Sequence, residues 1–155
     1  MQPLFTRSLT LLLVCVFLLP VSQAGEHNHS EMKGDKITLN NGEKWPIDES
    51  LHKGMTSIKN ALEKNISPIH YKKFTPEQYK ALAADMDIHL TYLFENCKLP
   101  KSADEQLHVL LFKIIEGKEQ MRAASKQRSG AITIIKVLQQ YPQYFDDKNW
   151  QALKH

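Results

Sequence analysis

The sequence predicts an all-α protein, an up-down-up-down four-helix bundle with a short extended N-terminal arm. Three observations predict it. Apolar residues recur at helical spacing through four separate stretches, capping and proline signals divide those stretches, and the loops between them are short. The opening residues stand apart from this pattern. Arg7 is the positive side chain of a short leading region, and Leu9 to Leu19 (LTLLLVCVFLL) has the length of a signal-peptide core. That run is too short for a membrane span, which needs on the order of 20 apolar residues. Pro20 breaks it, and Val21-Ser22-Gln23-Ala24 places small residues before a cleavage after Ala24. Cys15 does not mark a lipoprotein, because Val14 stands where a small residue is needed and the apolar run continues past it. Residues 1–24 therefore read as a signal that directs the protein to the periplasm or out of the cell, with no membrane span after its removal.

Residues 25–47 form the arm and residues 48–155 the bundle. The arm is polar to residue 36; Ile37 to Trp45 then suits either a tiny hairpin about Asn41-Gly42 or an extended segment packed by Trp45. The first helix should begin near Asp48 and turn Leu51, Met55, Ile58 and Leu62 to one face. The second opens on Thr75-Pro76-Glu77-Gln78, a capping box with proline in the first turn, and ends at Leu99-Pro100. Its inner stripe includes Tyr79, Leu82, Met86, His89, Leu90 and Leu93. The third opens on Ser102-Ala103-Asp104-Glu105, a second capping box, and turns Leu107, His108, Leu111, Ile114 and Ile115 inward. Gly130 precedes the fourth, which carries Ile134, Ile135, Leu138 and Tyr141 as far as Pro142. The tail from Tyr144 to Trp150 packs back as a turn, with Asp146-Asp147 as its solvated part.

Charge and cysteine content narrow the functional classes. Removing Arg7 with the signal from the 20 Lys and Arg leaves 19 bases against 17 acids, a net charge of +2. The lysines are scattered, and the runs Tyr71 to Lys73 and Arg122 to Arg128 suit solvated helix ends, the latter complementing a helix dipole. No basic stripe interleaved with aromatics appears, which argues against nucleic acid as a partner. Cys97 is left alone after signal removal, so an internal disulfide is excluded and the core must hold the fold.

Several short patterns lie on this frame: Gly54-Met55…Ile58…Ala61, Asn96-Cys97-Lys98-Leu99…Ala103-Asp104…Leu107-His108, and Tyr141…Phe145-Asp146…Trp150. Together, over roughly residues 37–150, they resemble a group of small exported proteobacterial proteins. The resemblance implies an exported helical protein and assigns no activity. Catalytic signatures are absent: there is no G-x-S-x-G elbow, H-E-x-x-H pair, phosphate-cradling loop or C-x-x-C-H haem attachment. Cys97 sits at a helix C-terminus, where the dipole disfavours a thiolate, so it reads as an unreactive or dimer-forming thiol.

Metal binding has two hints. Cleavage after Ala24 makes His27 the third residue of Gly25-Glu26-His27. A free amine, two deprotonated amides and that imidazole then form fused chelate rings, which resembles the amino-terminal copper and nickel motif and suits Cu(II) or Ni(II). His29 follows in the same segment. The second hint comes from pairing antiparallel helices about their turns. On the helical rise, His52, Met55, Met86, His89 and His108 fall within roughly two turns of bundle height. Met55, Met86, His89 and His108 lie on inward stripes and His52 on a flank; thioether with imidazole favours copper. Against this stands ordinary packing, since methionine fills irregular cores and a lone inward histidine is usually a hydrogen-bonded core residue. The functional expectation is an exported bundle that binds a transition metal, copper, for buffering, storage or transfer. Its alternatives are a metal-free module that meets a periplasmic partner protein, and a bundle holding haem non-covalently between Met55 and His108.

Overall fold

Asp48 shows how the local chemistry starts the fold. In the computed structural model of the 155-residue chain, which describes residues 36–154, its carboxylate accepts from the Leu51 amide at 2.6 Å and from the Lys98 amide at 2.6 Å. One oxygen thus caps a helix while the other ties that helix start to the far end of a second helix. The expected signal, the Gly25-Glu26-His27 chelate and His29 lie outside the described residues.

The protein is all-α, with five helices rather than four among the described residues: α1 (Glu49–Glu63), α2 (Ile66–His70), α3 (Pro76–Asn96), α4 (Lys101–Arg122) and α5 (Gln127–Tyr144). The unanticipated α2 is five residues long and fills the connection between α1 and α3. It buries Ile69, and the Arg128 guanidinium donates from Nε to the Ile69 carbonyl at 3.1 Å. The Thr75–Gln78 capping box forms as the sequence predicts, with Thr75 N–H donating to Gln78 Oε1 at 2.8 Å and Gln78 N–H to Thr75 Oγ1 at 3.3 Å. The box expected at Ser102 does not form. Pro100 already starts α4, its carbonyl accepting from the Asp104 amide at 2.9 Å, so Ser102 lies inside the first turn and Glu105 just beyond it.

The start and end of α5 also differ from expectation. Gly130 sits within the helix instead of before it, because it is needed where α4 and α5 cross. A Cβ on Gly117 would come 2.7 Å from the Gly130 carbonyl oxygen, so the two backbones are in direct contact there. Pro142 lies inside the last turn of α5, which runs on to Tyr144. The continuation is held from outside: Trp45 N–H donates to the Tyr144 carbonyl at 2.7 Å, and Asp146 N–H to the Trp45 carbonyl at 2.9 Å.

The two descriptions of the arm are both realised. Asn40 and Glu43 pair as an isolated antiparallel bridge about Asn41 (φ 51°) and Gly42 (φ 92°), the left-handed pair that a two-residue primed turn requires. Trp45 is buried, bridges to Phe145, and donates from its indole to the Thr38 carbonyl at 2.6 Å. Packed pairs are α1 with α3 and α5, α3 with α4 and α5, and α4 with α5. Leu51, Met55, Ile58 and Leu62 of α1 face inward as predicted, and they share one core with Leu90, Leu107, Ile114 and Tyr141. Among the described residues no helix is long and apolar enough to cross a membrane.

Candidate functional site

The best-formed polar constellation lies where α1 begins and α5 ends. Once the arm has pinned Asp146, the next side chain turns inward. The Asp147 side chain is only 1 % exposed, and the reading of Asp146-Asp147 as a solvated turn is corrected for this residue. Asp146 itself is half-buried and meets Lys148 Nζ at 2.7 Å. An uncompensated buried carboxylate costs several kcal/mol, so its partners matter. His52 Nδ1 lies 2.9 Å from both oxygens of Asp147, the Tyr141 hydroxyl donates to Oδ2 at 3.1 Å, and the Asn149 amide donates to Oδ1 at 3.1 Å. Burial, followed by the adjacent Asp147, pushes the Tyr141 hydroxyl well above its usual range, so it stays a donor. Trp150 closes this end with its ring 4.7 Å from that of Tyr141.

His52 is the exposed member of the cluster. Its side chain is 31 % exposed and lines an open cleft of about 310 Å³, together with Glu49, Asp146, Lys148 and Asn149. A carboxylate only accepts, so His52 Nδ1 carries the proton, which leaves Nε2 as the nitrogen that can offer a lone pair to the cleft. A carboxylate that orients a histidine in this way also raises the basicity of the other nitrogen, the arrangement that metal-ligating histidines commonly use. No local spacing announces this pair, because 95 residues separate His52 from Asp147.

The ligand layer expected in the bundle interior is arranged differently. Met55 and Met86 are fully buried in the core. His89 is half-buried, and burial pushes its pKa down against the opposing pull of Asp85. His108 is 41 % exposed, with Nδ1 3.0 Å from the Asp104 carbonyl of its own helix and 3.4 Å from Asp104 Oδ2. Its ring stacks on Phe94 at 6.0 Å between centroids. The two histidines therefore flank the core rather than line it. Leu90 and Leu107, their immediate neighbours, take the inward positions, as apolar side chains do when a polar ring competes for the same burial. Of the Met55–His108 pair on which the haem alternative depends, Met55 is fully buried and the His108 side chain is 41 % exposed. Among the described residues, no three His, Cys, Asp or Glu side chains gather as a metal-ligand cluster.

Cys97 is half-buried beyond α3. Burial pushes its thiol up to about 12, with Asp48 and Asp104 adding to the effect. At neutral pH it is a protonated, weakly nucleophilic thiol. No protein-family model, curated protein or solved structure matches this chain.

Proposed function

We propose that this is an exported four-helix-bundle protein that binds a transition metal, copper, for buffering, storage or transfer in the periplasm or outside the cell. In this reading α1, α3, α4 and α5 run up-down-up-down, and α2 is an elaboration of the first connection. The observation that carries the metal reading is His52, whose Nδ1 is held by the buried Asp147 while the ring lines an open cleft. A pair that served only to clip the C-terminal tail would work equally well with the imidazole wholly covered. Among divalent ions of the first row, an imidazole nitrogen holds Cu(II) most strongly. The amino-terminal chelate at Gly25-Glu26-His27 provides a second copper locus in the same protein, and His29 stands close to it in sequence.

Metal content, measured on protein purified from its native compartment, tests the function first. Cu(II) titration followed by electron paramagnetic resonance then separates the two loci. Protein beginning at Gly25 should show a four-nitrogen square-planar signal, which one added N-terminal residue abolishes. A second population with a single imidazole nitrogen should survive that extension and disappear in His52→Gln. Protein isolated without copper, with a His52→Gln titration identical to wild type, would reduce the cluster to a tail clip.

A further inference from the structure

On the reading of His52 as a metal ligand, we propose that residues 147–154 form a latch on α1 whose closing sets the metal affinity of His52. A metal in the cleft then locks the latch, and opening the latch releases the metal. Beyond Asp146, which Trp45 pins, the chain forms no further helix or strand among the described residues. It is tied to α1 at two points. Asp147 holds His52 Nδ1 at 2.9 Å near the start of the helix, and the Lys154 amide donates to Glu63 Oε1 at 2.8 Å at its last residue. Glu63 is a charged acceptor at neutral pH, because the Lys154 amide first and Lys59 second hold its carboxyl below the usual range. His52 and Glu63 stand about 16 Å apart on the helical rise, and the chain from Asp147 to Lys154 reaches at most about 25 Å. The segment therefore runs along α1, with the Trp150 ring against Tyr141 between the two ties.

Two features make this segment open before the helices do. Lys148, Asn149, Gln151, Ala152 and Lys154 are exposed, and segments with so few buried side chains open at a fraction of the global stability. The Trp150 indole N–H is buried with no hydrogen-bond partner among the described residues, a penalty that exists only while the latch is closed. Closing nevertheless builds the site. The cleft is lined by Asp48, Glu49 and His52 from the start of α1 and by Asp147, Lys148 and Asn149 from the latch. Opening removes the second set of walls and takes the Asp147 carboxylate away from His52 Nδ1 and the Tyr141 hydroxyl into water. A histidine that loses the carboxylate orienting it binds metal about 10–100-fold less tightly. The coupling is reciprocal, so a metal on His52 favours the closed latch by the same factor.

Amide hydrogen exchange tests the latch and the coupling separately, on protein carrying one residue before Gly25 so that no amino-terminal chelate competes for Cu(II). Without metal, the Asn149, Trp150 and Lys154 amides should exchange together and faster than amides at the centre of α1. His52→Leu cuts the first tie and should speed exchange at Lys154, at the far tie, at least threefold (on the order of one lost hydrogen bond). A chain ending at Ala152 cuts the second tie and should speed exchange at Asn149 likewise. Indifference of either distant amide would show two separate contacts and overturn the latch without reference to any metal. Saturating Cu(II) should then slow exchange of the peptide covering residues 147–154, followed by mass spectrometry, about 10–100-fold in wild type and not at all in His52→Leu. A single-imidazole Cu(II) resonance signal with exchange unslowed would overturn the coupling and leave the copper reading intact. Absence of that signal would overturn both.

Discussion

Replacing Asp147 with asparagine tests the cluster at its centre, because the change conserves shape and alters only charge and proton placement. The carboxylate accepts His52 Nδ1–H at 2.9 Å, Tyr141 O–H at 3.1 Å and Asn149 N–H at 3.1 Å. An amide retains one acceptor oxygen and turns the other position into a donor. If the oxygen stays with Asn149 and His52, the new NH₂ faces the Tyr141 hydroxyl, which must rotate to accept and then loses its own acceptor. Hydrogen bonds to a charged group contribute roughly 1.5–3 kcal/mol and neutral ones roughly 0.5–1.5 kcal/mol. Losing the charge assistance while relieving a buried ion of its desolvation leaves a net cost of about 1–2 kcal/mol. For a chain of this size that is a fall in melting temperature of roughly 2–8 °C. The second effect is on His52. An amide can donate to Nδ1 as readily as accept from it, so the proton is no longer held there and, on the copper reading proposed above, affinity at Nε2 should fall about 10–100-fold. Urea denaturation at pH 7 measures the first effect, and nitrogen chemical shifts of the labelled imidazole report the tautomer. Unchanged stability together with an unchanged Nδ1–H tautomer would refute the arrangement, because neither can survive if Asp147 is the buried acceptor described.

Three further outcomes follow from the packing and the charges. Gly130→Ala places a methyl against the Gly117 carbonyl and 2.7 Å from the Met121 amide nitrogen, contacts that only backbone movement relieves. The strain, about 1–3 kcal/mol or more, should exceed the gain of roughly 0.5–1 kcal/mol in helix propensity, and a variant more stable than wild type in urea would contradict the contact. Cys97, with its thiol pushed up to about 12, should react with iodoacetamide at pH 8 far more slowly in the folded protein than in urea; equal rates would show an accessible thiolate. Asp87 is held below its usual pKa, first by the Lys118 hydrogen bond and then by Arg122, so its folded value lies under its unfolded value. Its stabilisation is therefore present above the ordinary carboxylate range and lost as pH falls through the folded value. Wild type and Asp87→Asn should differ at pH 6 and converge in acid, with the difference reduced by salt, and a constant offset from pH 6 to pH 2 would exclude the pairing.

What the sequence by itself determined is what adjacent residues decide. The Thr75–Gln78 box, the start at Asp48, the Asn41-Gly42 turn and the inward stripe of α1 depend on side chains within about one helical turn or on a repeat of 3.6, and such signals read directly from the chain. The four long helices were legible for that reason, whereas α2 was not, since five residues are too few to show a period. Gly130 looked like a helix start because a lone glycine weakens a helix; that it lies where two backbones touch is a property of α4 and α5 together. The polar side chains divide in the same way. Stripe membership placed Met55 and Met86 in the core correctly, but His89 and His108 stand at stripe edges, where a neighbouring leucine takes the burial. Only the tertiary structure decided that His52 meets Asp147. Asp147 is buried because Trp45, far back in the chain, pins the residue before it and Tyr141 stands ready to donate, and a carboxylate enters a protein interior only where such distant partners converge on it.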